Sequence, residues 1–193
     1  MFGFPTQLKY MAAPIVLIIL MFALELLKPT TTDILGFYPS KVLEGEIWRV
    51  VTGQILHTNF NHLLLNSAGI LLVWALHGEY YLSKQYFKLL VTSLLLVGFS
   101  LLVIADYYHY AGMSAVIHTL IVYGAVKDIL RNDKTGWLIL AGVSAKVIYE
   151  NLYGASSSTM DLIDANVAVE AHLVGVIVGL ILSVPWINKF LKL

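Results

Sequence analysis

Six apolar runs divide this chain, each close to the ~20 residues that a helix needs to cross a bilayer. They cover roughly 12–27, 63–82, 87–105, 114–130, 136–150 and 169–186. Hydrophobic residues make up 59% of the 193 and charged residues only 12%, with mean hydropathy +0.79. About 25% charged is usual for a soluble domain. The expected fold is all-α: one polytopic membrane domain over residues 1–193, a six-transmembrane-helix bundle surrounded by lipid bilayer. The fourth and fifth runs are short, which suits helices enclosed by others or ending in a water-filled cavity. Only Lys9 precedes the first run, and Leu24-Glu25-Leu26-Leu27-Lys28-Pro29 follows where small cleavage-site residues would be needed, so it reads as an uncleaved anchor.

Charge placement orients the bundle. With the N-terminus cytoplasmic, the cytoplasmic side holds Lys9, Lys84, Lys88, Lys127, Arg131, Lys134, Lys189 and Lys192. The opposite side and nearby helix ends hold Lys28, Lys41, Arg49 and Lys146, while its loops are acidic, with Asp33, Glu44, Glu46, Asp106, Asp161 and Asp164. This positive-inside bias predicts an N-in/C-in topology. The zero net charge offers no argument for a nucleic-acid partner, and the absence of cysteine excludes thiol catalysis.

In that topology the second, fourth and sixth helices all begin at the outer face. His57, His62 and Asn66 lie at the start of the second, Ser114 at the start of the fourth and His172 at the start of the sixth. At 1.5 Å per residue these groups share a depth within roughly 10–15 Å of one surface. Polar groups inside a bilayer are costly unless they are used. A serine hydroxyl needs a base before it can attack, and neutral imidazole is the usual one near pH 7. The oxyanion formed by attack on an amide needs fixed donors. His62 and Asn66 are four apart and share a helix face, which makes them candidate donors together with the Ser114 backbone N–H. His57 falls about 140° round from His62, so it points elsewhere or lies in the loop and ties down the start of the helix.

Gly175 and Gly179 follow His172 as His-x-x-Gly-x-x-x-Gly, a small-residue stripe against which the fourth helix can pack to bring Ser114 to His172. Gly142-Val143-Ser144-Ala145 repeats the Gly112-Met113-Ser114-Ala115 pattern, but Ser144 lies inside the fifth helix, which runs the other way. His118 is four after Ser114 and competes as base or supports the site. Glu170, two before His172, cannot share its face. Lys146 and Glu150 are spaced to neutralise each other, with Glu150 also a candidate substrate contact. The Gly- and Ser-containing segment 151–166 is read as a mobile connection able to cap the site. No His-Glu-x-x-His metalloprotease motif and no pair of membrane-buried Asp is present, and no metal or cofactor is expected.

His57-x4-His62-x3-Asn66, Gly112-x-Ser114 and Ala171-His172-x2-Gly175-x3-Gly179, in this order, resemble the rhomboid intramembrane serine proteases. Trp48-Arg49 resembles the same family's loop signature, and the match spans about residues 45–182. The resemblance implies Ser114 as nucleophile, His172 as base in a dyad without a third acid, and His62 and Asn66 in the oxyanion hole. Ala115 departs from the family's usual Gly-x-Ser-Gly. Residues 112–118, 141–150 and 167–173 look most like the rhombosortase branch. That likeness implies single-pass exported substrates with a C-terminal anchor, cut near a Gly-Gly signal. It also implies a bacterial inner membrane location, with the active site opening to the periplasmic side. The alternative is a noncatalytic rhomboid-like scaffold that binds transmembrane segments.

Overall fold

The structure, a computed structural model, describes residues 4–104 and 107–191. Ala105, Asp106 and Lys192, used above for a span boundary and for charge placement, lie outside the described residues, as does the side chain of Lys189. Six long helices run through the chain: α1 (Leu8–Leu26), α5 (Phe60–His77), α6 (Ser83–Ile104), α7 (Ser114–Leu130), α8 (Thr135–Tyr153) and α10 (Val169–Leu191). Four short ones lie between them: α2 (Thr30–Leu35), α3 (Pro39–Leu43), α4 (Arg49–Thr52) and α9 (Ser157–Ile163). Among the described residues there is no strand, only an isolated bridge between Phe37 and Tyr110.

Helix ends differ from the apolar runs where polar residues start or stop a helix. α5 begins at Phe60, ahead of the run, because the Asn59 side chain accepts the His62 N–H at 2.9 Å and caps the first turn. It stops at His77, where Gly78–Tyr80 tightens into a 3-10 turn, short of the expected residue 82. The first turn of α6 is the polar stretch Ser83-Lys84-Gln85, and α8 and α10 both outrun their apolar windows.

Leu8–Leu26, Phe60–Tyr80, Ser83–Ile104 and Val169–Trp186 are long and apolar enough to cross a membrane. α7, with 17 residues, is shorter and stands at the centre, against α10, α8, α5 and α6. Its enclosure shows in its fully buried Ala115, Val116, Leu120, Val122 and Ala125. The outer helices turn apolar side chains outward instead. Leu173, Ile177, Leu180, Ile181 and Val184 of α10 and Val16, Ile19 and Leu20 of α1 are exposed, as lipid-facing positions would be.

Glycine sets the closest approaches. A Cβ on Gly175 would collide with the Ala115 carbonyl oxygen, and one on Gly179 would lie 2.8 Å from that of Thr119. α10 therefore lies backbone to backbone on α7, and Thr119 Oγ1 donates to the Gly175 carbonyl at 2.9 Å. At the far end of α7, buried Asp128 accepts from the Tyr80 hydroxyl at 2.5 Å and lies 3.1 Å from His77 Nε2.

The segment between α1 and α5 is wound round buried Arg49. Its Nε donates to Glu46 Oε2 at 2.6 Å, and its terminal nitrogens to the carbonyls of Gly36 (2.8 Å) and Asp33 (2.9 Å). Trp48 is exposed and donates from Nε1 to the Ile34 carbonyl at 3.1 Å. This pair of residues fastens the loop and does not reach the site.

Candidate active site

Ser114 is the first residue of α7, so its backbone N–H has no partner within the helix. The chain reaches it through Gly112, whose φ of +116° lies in the left-handed region. A Cβ on Gly112 would also sit 2.7 Å from both Cε1 and Nε2 of His62 and 3.8 Å from Asn66 Nδ2. Backbone and space both require glycine here. The turn before Ser114 thus lies directly against the two candidate oxyanion donors.

Across the α7–α10 contact, Ser114 Oγ is 2.9 Å from His172 Nε2. His172 is buried on the first turn of α10, one turn ahead of Gly175, so the glycine contact with Ala115 sets its distance from Ser114. The ring of His118 stacks on that of His172 at 4.4 Å, and His118 Nδ1 donates to the Ser114 carbonyl at 2.7 Å. His118 therefore lies against the face of the His172 ring, with Nδ1 on the Ser114 carbonyl rather than on Ser114 Oγ.

On α5, Asn66 Nδ2 donates to the His62 carbonyl at 3.0 Å, which leaves its second N–H available. His62 Nδ1 faces the Thr58 hydroxyl at 3.0 Å and the Thr58 N–H at 3.5 Å. His57 lies in the loop before α5 and is buried, with its ring edge-on to that of His62 at 5.2 Å. Burial lowers its pKa to about 3, helped by His62 and Lys28, so the ring is neutral. Lys28 Nζ in turn donates to the His57 carbonyl at 2.5 Å.

These groups open on a cavity of about 600 Å³. His62, Asn66, Ser114, His118 and His172 line one side, and Leu65, Gly69 and Ile117 supply an apolar wall. Ser144 is half-buried within α8 and is not among the lining residues, nor are Trp48, Arg49 and His57. The segment 151–166, expected as a mobile connection able to cap the site, holds the helix α9, capped by Ser156 and docked on the start of α5. Thr58 Oγ1 donates to the Ile163 carbonyl at 2.7 Å, and Asn59 and Asn61 both donate to that of Leu162. Thr159 and Ile163 of α9 thereby cover part of the cavity.

One contact departs from the expected dyad without an acid. Glu150 Oε2 lies 2.9 Å from His172 Nδ1, and the same oxygen accepts from Lys146 Nζ at 2.7 Å. Glu150 and Lys146 are spaced as a pair on α8, but the partnership with His172 spans 22 residues and two helices, so no local periodicity signals it. Glu170 turns away and accepts from the Tyr107 hydroxyl at 2.8 Å. Among the described residues, no group of three or more His, Asp or Glu is arranged to hold a metal ion.

The family model described as Rhomboid domain matches residues 44–189, which takes in all of the cavity-lining side chains named above. The chain belongs to the rhomboid family. A relative in Bacillus subtilis (strain 168), named "Putative rhomboid protease YdcA", is 30% identical over 160 residues, covering 81% of this chain and 76% of that protein. Family membership and the long apolar helices together make this an integral membrane protein with the scaffold of an intramembrane protease.

Proposed function

We propose that this rhomboid is an intramembrane serine protease in which Ser114 attacks and His172 is the base. The observation that carries the reading is the 2.9 Å contact between Ser114 Oγ and His172 Nε2, inside a cavity with donors waiting beside it. His172 Nε2 takes the Ser114 proton as Oγ bonds to the substrate's carbonyl carbon. The resulting oxyanion is met by the Ser114 N–H and the free N–H of Asn66, with the His62 ring beside them. The C–N bond then breaks, and His172 returns the proton to the leaving amine. Water attacks the acyl ester next, giving one proton to His172, which passes it to Ser114 Oγ as the ester C–O bond breaks.

We read residues 1–193 as one domain with all six long helices spanning, including the enclosed α7 and α8, in an N-in/C-in orientation. The positive-inside bias supports this, and it opens the cavity to the periplasmic side of a bacterial inner membrane. Substrates are single-pass proteins with a C-terminal anchor, cut near a Gly-Gly signal as the rhombosortase likeness suggests. A glycine pair ahead of a helix suits the cavity, because the segment must unwind to reach Ser114.

The test is labelling of purified protein in detergent with a fluorophosphonate probe. Labelling should be lost in Ser114→Ala and His172→Ala and kept in Ser144→Ala. An unlabelled wild-type protein, where an active rhomboid labels under the same conditions, would leave the noncatalytic scaffold as the reading.

A further inference from the structure

Among the described residues around His172, Glu150 is the one hydrogen-bonded to its ring that the dyad leaves unused. Ser114 and His118 approach from α7, one at Nε2 and the other flat against the ring. His62 faces it across the cavity from α5, and Glu170 on its own helix is engaged by Tyr107. From α8 comes the carboxylate of Glu150, on Nδ1 at 2.9 Å. Its side chain is only 15% exposed, whereas that of Lys146 is 49% exposed. A surface ion pair would leave the carboxylate in water beside its lysine; here it is turned inward to the imidazole.

We propose that Glu150 is a positioning residue for His172. Its carboxylate accepts the Nδ1–H, which fixes the ring as the tautomer whose Nε2 lone pair faces Ser114. When the Ser114 proton arrives at Nε2, the positive charge on the ring forms against a carboxylate already in place, and no proton passes to Glu150. Lys146 Nζ donates to the same oxygen at 2.7 Å, the i,i+4 pairing that the experiment must separate from the contact with His172. The helix contacts support this arrangement: α8 packs on both α7 and α10, so Glu150, His172 and Ser114 come from three mutually packed helices. The proposal rests on the protease reading above and adds a third group to it.

The experiment separates positioning from simple ion pairing. Full-length protein in detergent is titrated with the fluorophosphonate probe, giving a maximal labelling rate and a half-saturating probe concentration. Wild type is compared with Glu150→Gln, Lys146→Met and Ser114→Ala. Proton NMR of ring-¹⁵N-histidine protein reports the hydrogen-bonded Nδ1–H of His172, assigned by its loss in His172→Ala. Glu150→Gln should lower the maximal rate by about tenfold or more with little change in half-saturation, and shift or erase the Nδ1–H signal. Lys146→Met should stay within about threefold of wild type and keep that signal.

Equal losses in Glu150→Gln and Lys146→Met would reduce Glu150 to an ion-pair partner and overturn the proposal. So would wild-type labelling in Glu150→Gln. If Glu150→Gln fails to fold, the wild-type and Lys146→Met spectra decide: a hydrogen-bonded Nδ1–H in both upholds the role, and its absence from wild type ends it. Loss of Ser114-dependent labelling in the wild type itself would strike the protease reading instead, and the Nδ1–H signal would still report on Glu150.

Discussion

His118 lies flat under His172, with ring planes within 20° of parallel and centroids 4.4 Å apart, while its Nδ1 holds the carbonyl of Ser114. One side chain thus braces both members of the proposed pair. Its two jobs can be separated by substitution. His118→Phe keeps a flat ring against His172 and gives up the hydrogen bond; His118→Ala gives up both. Labelling by the probe should fall more in the alanine variant, by roughly two- to tenfold beyond the phenylalanine one, the equivalent of an aromatic pair. Equal rates in the two variants would mean that the stack contributes nothing.

Gly175 has no space for a side chain, since its missing Cβ would meet backbone rather than a movable side chain. Gly175→Val must push α10 off α7 and lengthen the Ser114–His172 contact. The expected result is abolished labelling and a loss of about 1–3 kcal/mol in stability, read by melting in detergent. Gly142→Val is the matched control, because a Cβ there meets nothing within 4 Å. It should change neither measurement appreciably.

Burial of neutral His57 makes stability depend on pH. Its pKa falls from 6.5 to about 3 in the folded protein, so between those values the unfolded chain binds a proton that the folded one refuses. Stability from this group is fully present above pH 6.5 and declines as pH drops toward 3. The melting temperature of wild type should fall through this window, and the fall should be smaller in His57→Phe. Parallel melting curves for the two proteins from pH 7 to pH 4 would exclude His57 as a source.

Asp128 serves His77 and Tyr80 together, in a buried cluster at the opposite end of α7 from Ser114. Asp128→Ala leaves both partners without their acceptor and should cost about 3 kcal/mol of stability. The labelling rate per folded molecule should remain near wild type, because the cluster is remote from the cavity. A lost labelling rate with unchanged melting would contradict that assignment.

Depth was the readable part of the site. Ser114, His172, His62 and Asn66 each stand at a helix start, and a helix start is visible wherever polar residues precede an apolar run. Gly112, Gly175 and Gly179 were readable for a related reason, since small residues at helical spacing announce close packing. What could not be read was the lateral proximity of Glu150 to His172. Glu150 and Lys146 carry a complete local explanation as an i,i+4 pair, and that explanation hid the turn of the carboxylate toward α10. α9 is not legible because Gly154 and Ser156 resemble loop residues, whereas Ser156 caps a helix whose far end, at Leu162 and Ile163, is held by Thr58, Asn59 and Asn61. The helical angle puts His57 off the His62 face or in the loop, and its edge-on contact with His62 needs the loop's actual path.

The enclosure of α7 has a consequence for biogenesis. This helix carries Ser114, His118, Thr119, Tyr123 and Asp128, and it presents little surface that lipid would prefer to its neighbours. Such a segment has small reason to settle in the bilayer alone, and the chain that must receive it on the far side, α8 and α10, is synthesised after it. Integration of α7 is then completed only when α10 arrives to lay its glycines along it. On that view, Ser114 and His172 come into register only once α10 has packed on α7, and a chain interrupted before α10 lacks the proposed pair.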